Sequence, residues 1–122
     1  MRRTALLLAA ALLIGACGTS GASRSSSDKL RVVTTTTELT DFATVVGGRD
    51  VDVYGVLKAN VDPHDYEPSP ADLEAIADAD VILKNGVGIE KWLEKTLDSA
   101  SPDGAIVDTS QGVTVRDHDP HI

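Results

Sequence analysis

Residues 30–48, LRVVTTTTELTDFATVVGG, contain the two patterns that decide the fold. The segment 30–35 is short and rich in β-branched residues, which is typical of a strand. Apolar residues then recur at helical spacing until Gly47-Gly48 interrupts the pattern. These apolar residues are Leu39, Phe42, Val45 and Val46. The stretch therefore predicts one β-strand followed by one amphipathic α-helix.

The same alternation of strand and helix patterns continues along the chain. Short apolar runs predict three further strands, at residues 51–56, 81–83 and 105–107. Ser69-Pro70 predicts the start of a second helix, because serine can cap the first turn and proline loses no hydrogen bond there.

The most regular helical pattern spans residues 89–100. Its apolar stripe consists of Ile89, Trp92, Leu93, Thr96, Leu97 and Ala100. Glu90 and Glu94 fall on the other side with Lys91 and Lys95, which predicts a solvated face with i,i+4 ion pairs. Trp92 lies on the apolar stripe, so we expect it to pack in the core rather than bind a ligand.

The predicted order of elements is βαβαβαβ. This order indicates an α/β fold, in which a four-stranded parallel sheet carries helices on both faces through right-handed crossovers. In open parallel sheets, ligands collect outside the carboxyl ends of the strands. His64 and His121 follow the second and the fourth predicted strands. We therefore expect the two imidazoles to converge on one site.

The charge of the chain excludes one class of partner. The 122 residues include 19 acidic and 11 basic side chains, for a formal net charge of −8. No cluster of Lys and Arg follows the first three residues. Nucleic acid is therefore not an expected partner. A negative surface instead raises the local concentration of small cations.

Residues 1–16 are predicted to be a signal peptide. Arg2 and Arg3 precede an apolar run that is too short for the roughly 20 residues needed to span a bilayer. The run ends in Ile14-Gly15-Ala16-Cys17, which resembles the lipobox of bacterial lipoproteins. This resemblance implies cleavage before Cys17. The alternative is an ordinary signal peptide that is cut nearby.

The lipobox also implies that a lipid is attached to the sulfur of Cys17. Residues 17–28 are dominated by Gly, Ser, Ala and Thr and have little apolar surface, which predicts a flexible tether. Residues 29–122 are the predicted folded lobe. The protein is expected to be exported and lipid-anchored to the outer face of the bacterial cytoplasmic membrane.

Two Asp-Pro-His triplets occur, at residues 62–64 and 119–121. Proline fixes its own φ and restricts the residue before it, so each imidazole projects from a stiff loop. Neutral imidazole is a common ligand of zinc, manganese and similar ions. His64 and His121 are therefore the candidate metal ligands. His118 is interpreted as a loop residue, with a weak auxiliary site as the alternative.

Three carboxylates lie beside the first triplet: Asp62, Asp65 and Glu67. Carboxylates also bind hard cations, but a ligating imidazole needs a hydrogen-bonding partner that fixes its tautomer. We therefore expect these residues to support the metal site through hydrogen bonds and local charge rather than to contact the ion.

Several motifs appear in order from about residue 30 to the end of the chain, with consistent spacing. They are the run from Thr34 to Leu39, Val46-Gly47-Gly48, Asp62 to Pro70, Ala79-Asp80, Asn85-Gly86 and Glu90-Lys91-Trp92-Leu93. Together they resemble the zinc/manganese substrate-binding lipoproteins of bacterial ABC transporters, of the cluster A-I type. The resemblance implies that this chain is the N-terminal lobe of a two-lobed protein, truncated at its end.

The resemblance also implies a function and a set of ligands. His64 and His121 correspond to the first two metal ligands, and a second lobe supplies a histidine or glutamate and an aspartate. The implied function is capture of Zn²⁺ or Mn²⁺ as the transported substrate, without catalysis, by a monomer that docks on the membrane subunits of an ABC permease. The choice of metal stays open between the two ions.

Two other functions are alternatives. A metal-dependent hydrolase could also use histidines and carboxylates at strand ends. The chain has no His-Glu-x-x-His pattern and no Gly-x-Ser-x-Gly motif, so we do not expect an enzyme. A surface adhesin that retains metal binding is the other alternative, because proteins of this family have received that label.

Overall fold

Strands and helices alternate throughout residues 29–115, the part of the chain that the computed structural model describes. Cys17, His118 and His121 lie outside the described residues. The elements are β1 (Leu30–Thr34), α1 (Thr37–Gly47), β2 (Val51–Gly55), α2 (Pro70–Ala77), β3 (Val81–Lys84), α3 (Leu93–Ala100) and β4 (Ala105–Asp108).

The four strands form one parallel sheet in the order β2-β1-β3-β4. The register places Val33 of β1 between Tyr54 of β2 and Ile82 of β3. Helices α2 and α3 pack against each other. The right-handed crossover rule puts α1 on the opposite face, because the chain moves from β1 to β2 in one direction and then towards β4 in the other. The predicted four-stranded parallel α/β fold is confirmed.

The buried core lies between the sheet and the α2–α3 layer. Its centre consists of Val33, Val56, Ile76, Ala79 and Ile82, and neither isoleucine has any exposed surface. Burying each isoleucine side chain stabilises the fold by about 1.5–3 kcal/mol. Partly buried aromatic residues surround this cluster, and they include Tyr54, Tyr66 and Trp92. The prediction that Trp92 packs against the core is confirmed.

Helix α1 forms as predicted, but its apolar stripe does not face the core. Phe42 is 63% exposed and Val46 is 87% exposed. The helix approaches the sheet through small residues instead, because a Cβ on Gly55 would lie only 2.5 Å from Oγ1 of Thr40. Leu39, Phe42 and Val46 of the stripe line an apolar groove of about 530 Å³ together with Leu83 and other residues near β3 and β4.

The third helix begins at Leu93 and not at Ile89. Glu90 is only 7% exposed, so its predicted position on a solvated helical face is wrong. Its carboxylate accepts hydrogen bonds from the backbone amides of Asn85 and Gly86, at 2.6 and 3.1 Å, and from the hydroxyl of Thr35. These bonds hold residues 85–92 in a series of turns, and the helix starts only after them.

Candidate metal site

The centre of the sheet provides a crevice at its carboxyl edge. From β1 the chain turns towards β2, and from the neighbouring strand β3 it turns the other way, towards β4. Ligands of open parallel sheets bind where strand order reverses in this way. Buried polar residues occupy this position: Thr35 and Thr36 follow β1, and Asn85 follows β3.

His64 belongs to the loop between β2 and α2, and β2 is an edge strand. Neighbouring strands lie about 4.8 Å apart, so this loop must extend sideways to bring a side chain to the central crevice. The indole Nε1 of Trp92 donates a hydrogen bond of 3.0 Å to the carbonyl oxygen of Pro63. Since Trp92 directly precedes α3, this bond draws the loop from the edge of the sheet towards the segment that follows β3.

The first Asp-Pro-His triplet forms a defined turn. The backbone amide of His64 donates to Oδ1 of Asp62 at 2.8 Å, which is the side-chain bond that mimics a backbone turn. Pro63 between them restricts the backbone further. His64, Asp65 and Glu67 are exposed at the surface. The predicted support of a ligating imidazole by these carboxylates stays a prediction.

Asp72, on the first turn of α2, organises the other end of this loop. It is 2% exposed. Its Oδ2 accepts from the hydroxyl of Tyr66 and from the amide of Ser69, both at 2.7 Å, and its Oδ1 accepts from the hydroxyl of Tyr54 at 2.9 Å. Ser69 and Asp72 also form a capping box for the helix.

The same bonds determine how these groups titrate. Burial raises the pKa of Asp72, but the hydrogen bonds from Ser69, Tyr66 and Tyr54 outweigh it and hold the pKa below its ordinary value. Burial, together with the bond to the Asp72 carboxylate, raises the pKa of Tyr66 to about 12. The carboxylate is therefore ionised and both phenols are neutral near neutral pH.

A small cavity of about 150 Å³ lies beside the His64 loop. Pro63 and Val61 of the loop line one side, Thr36 and Glu38 at the start of α1 line another, and Ile89 closes it. The cavity thus touches the chain after β1, β2 and β3. This placement corresponds to the crevice in which parallel sheets bind ligands.

The chain after β4 stays beside β3 for one more residue. The hydroxyl of Thr109 donates to the carbonyl oxygen of Lys84, the last residue of β3, at 2.9 Å. Because His121 lies outside the described residues, its convergence with His64 stays a prediction.

Within residues 29–115, no group of three or more His, Cys, Asp and Glu side chains is arranged to hold a metal ion. The structure there places one of the two predicted histidine ligands, His64. A closed zinc site has four protein ligands, so the predicted site requires ligands in addition to His64. The same part of the chain contains no helix long and apolar enough to cross a membrane.

Sequence reasoning missed two residues that fasten the His64 loop. The sequence pattern predicts only a core position for Trp92, and it predicts no role for Asp72 in the loop. The spacing of Ser69 and Asp72 is that of a capping box, which could have identified Asp72 as the first-turn acceptor. Nothing local indicates the bond from Trp92 to Pro63, because 29 positions separate the two residues.

Comparison with known proteins identifies a family for this chain. Residues 32–122 match the model of the family described as zinc-uptake complex component A periplasmic (ZnuA). The chain is 38% identical over 109 residues to the manganese ABC transporter substrate-binding lipoprotein PsaA of Streptococcus pneumoniae, covering 83% of this chain and 35% of that protein. It is 36% identical over 106 residues to the iron ABC transporter substrate-binding lipoprotein MtsA of Streptococcus pyogenes serotype M1, covering 81% and 34%.

The fold is also similar to solved structures. A crystal structure of ZnuA superposes with a TM-score of 0.66 at 30% sequence identity, covering 71% of this chain and 34% of that one. The chain thus spans about a third of the length of the relatives it matches. The family match covers residues 32–122, and the parallel sheet agrees with it. The chain belongs to the ZnuA family of metal-binding ABC transporter substrate-binding proteins.

Proposed function

We propose that this protein captures a divalent metal ion, Zn²⁺ or Mn²⁺, outside the cytoplasm and delivers it to the permease of an ABC transporter. The position of His64 is the observation that carries the proposal. The loop that bears it starts at an edge strand and is held across the sheet by the bond from Trp92 to Pro63. This bond supports the proposal, because it draws the loop that bears His64 towards the crevice where a cargo ion would bind.

We assign His64 and His121 as the two imidazole ligands of this lobe. Neutral imidazole donors suit zinc, manganese and related ions. The remaining ligands, a histidine or glutamate and an aspartate, would come from the second lobe that the family resemblance implies. Closure of two lobes around the ion would then complete its coordination. By this account, residues 29–122 alone bind the ion weakly.

The relatives carry different metals in their names: zinc, manganese and iron. Our assignment is zinc or manganese. At a site of imidazole donors the general order of affinity favours zinc over manganese. Discrimination beyond that order depends on the ligands of the second lobe.

We propose that the protein works at the membrane surface. In this proposal, residues 1–16 are removed as a signal peptide and Cys17 carries the lipid. Residues 17–28 then leave the folded lobe, 29–122, free to reach the permease as a monomer. A single acyl chain binds membranes only marginally, so stable anchoring would require more than one chain.

Metal uptake in living cells tests the proposal. A bacterial strain whose only copy carries His64→Ala should lose most zinc or manganese accumulation, whereas His118→Ala should accumulate metal normally. Uptake that is unchanged in the His64→Ala strain would contradict transport. If that strain instead lost the turnover of a substrate, the metal-dependent hydrolase would be favoured.

A further inference from the structure

We propose that Trp92 and Tyr66 are positioning residues that hold His64 in a metal-ready geometry before the ion arrives. The inference rests on the proposed role of His64 as a ligand. Neither residue would touch the metal. Each fastens the backbone of the loop on one side of the histidine.

The first fastening point lies one residue before His64. The Nε1–H of Trp92 donates to the carbonyl oxygen of Pro63 at 3.0 Å. Trp92 is itself held firmly, because it packs against the buried core and its own carbonyl accepts from the hydroxyl of Thr96 at 2.8 Å. A rigid part of the core thus fixes the peptide group that joins Pro63 to His64.

The second fastening point lies two residues after His64. The hydroxyl of Tyr66 donates to Oδ2 of Asp72 at 2.7 Å. Asp72 cannot easily move, since it is 2% exposed and forms the capping box of α2 with Ser69. The carboxylate therefore serves as a fixed anchor for the loop.

The two fastening points also contact each other. The rings of Tyr66 and Trp92 meet edge to face, with centroids 5.2 Å apart and an angle of 67° between the ring planes. Residues 63–66 thus form a short span that is held at both ends by side chains in mutual contact. His64 stands within this span at the surface.

This arrangement affects binding through conformational entropy. A loop that is already ordered has less freedom to lose when its histidine binds the ion. Groups that orient a metal ligand without touching the metal typically change affinity by about 10- to 100-fold when removed. We expect the affinity for Zn²⁺ to fall by a factor in that range when either hydrogen bond is removed.

Two tyrosines that share the Asp72 carboxylate provide a matched test. Tyr66→Phe removes a hydroxyl that fastens the loop, whereas Tyr54→Phe removes a hydroxyl that donates to the same carboxylate from β2. Zn²⁺ would be titrated calorimetrically into the full chain and each variant. We expect Tyr66→Phe to weaken Zn²⁺ binding by about 10-fold or more, and Tyr54→Phe to change it by less than about threefold. Equal losses in the two variants would overturn the inference.

Trp92→Phe tests the other point, because it removes the donor to Pro63 while keeping an aromatic ring. It should lower the affinity for Zn²⁺ by a similar factor, and the ring protons of His64 should give broader or multiple NMR signals in both loop variants. Tyr54→Phe should leave those signals unchanged. If Trp92→Phe does not fold, the two tyrosine variants still decide the question.

His64→Ala separates this inference from the proposed function. If that variant binds Zn²⁺ as the parent does, His64 is not a ligand, and both proposals fail. If His64→Ala loses binding while Tyr66→Phe and Trp92→Phe keep parental affinity, the ligand assignment stands and the positioning role is refuted.

Discussion

The carboxylate of Glu90 accepts a hydrogen bond of 2.6 Å from the backbone amide of Asn85. Asn85 is the first residue after β3, and its side-chain amide donates to the carbonyl oxygen of Gly86. Glu90 therefore closes the turn at the end of a central strand, next to Ile89, which lines the cavity beside the His64 loop. The buried side chain of Glu90 thus stabilises this turn by accepting hydrogen bonds from its backbone amides.

Glu90→Ala should destabilise the protein by about 2–4 kcal/mol, because it removes the carboxylate that accepts from two buried backbone amides and from the hydroxyl of Thr35. Urea denaturation would measure this free energy of unfolding. Glu94→Ala is the matched control, since the side chain of Glu94 is 80% exposed and only pairs with Lys84 at 3.8 Å. The control should cost less than about 1 kcal/mol. Similar losses for both variants would contradict the buried role of Glu90.

Asp72 should make stability depend on pH in the acidic range. Its pKa is lowered in the folded state, so the folded protein favours the ionised carboxylate. This contribution is fully present above the unfolded-state pKa of about 3.9 and is lost as pH falls through the folded-state pKa. In Asp72→Asn, the free energy of unfolding should decrease less steeply than in the parent as the pH falls below about 4.

The pKa values of Asp80 and Asp108 are also lowered. The free energy of unfolding of Asp72→Asn should therefore still fall to some extent as the pH decreases. Urea denaturation at several pH values would measure the slope for parent and variant. Asp65→Asn is a suitable control, because Asp65 is exposed. Identical slopes for the parent and Asp72→Asn would show that the hydrogen bonds to Asp72 do not stabilise its ionised form.

Trp92 should report metal binding through its fluorescence. It is the only tryptophan in the chain, and its indole is bonded to the residue before His64. Indole emission responds to changes at its N–H, so Zn²⁺ should shift or quench it in the parent. His64→Ala should abolish the response, and Mg²⁺ should not produce it, because Mg²⁺ prefers oxygen ligands. A response of equal size in His64→Ala would place the bound metal elsewhere.

Local patterns predicted the elements well because their causes are local. The strand at β1 follows from β-branched residues within a short run. The start of α2 follows from Ser69 and Pro70, whose capping roles depend on neighbours within one turn. The parallel sheet then followed from the order of the elements.

The interpretations that failed depend on distant contacts. Glu90 and Glu94 have the same helical spacing, yet only Glu90 meets backbone amides that need an acceptor. Phe42 and Val46 mark one face of α1, but the small residues of that helix decide which face approaches the sheet. Strand order is also a tertiary property. It places β2 and β4 at opposite edges, so the predicted site requires the loops after both strands to extend inwards.

Calorimetric titration of Zn²⁺ into the purified chain tests the central claim most directly. The account predicts one Zn²⁺ per chain, bound more weakly than at nanomolar affinity because this lobe supplies only part of the ligand set. It also predicts a loss of about 10-fold or more in His64→Ala and in His121→Ala, and parental binding in His118→Ala. Parental Zn²⁺ affinity in His64→Ala would contradict the account.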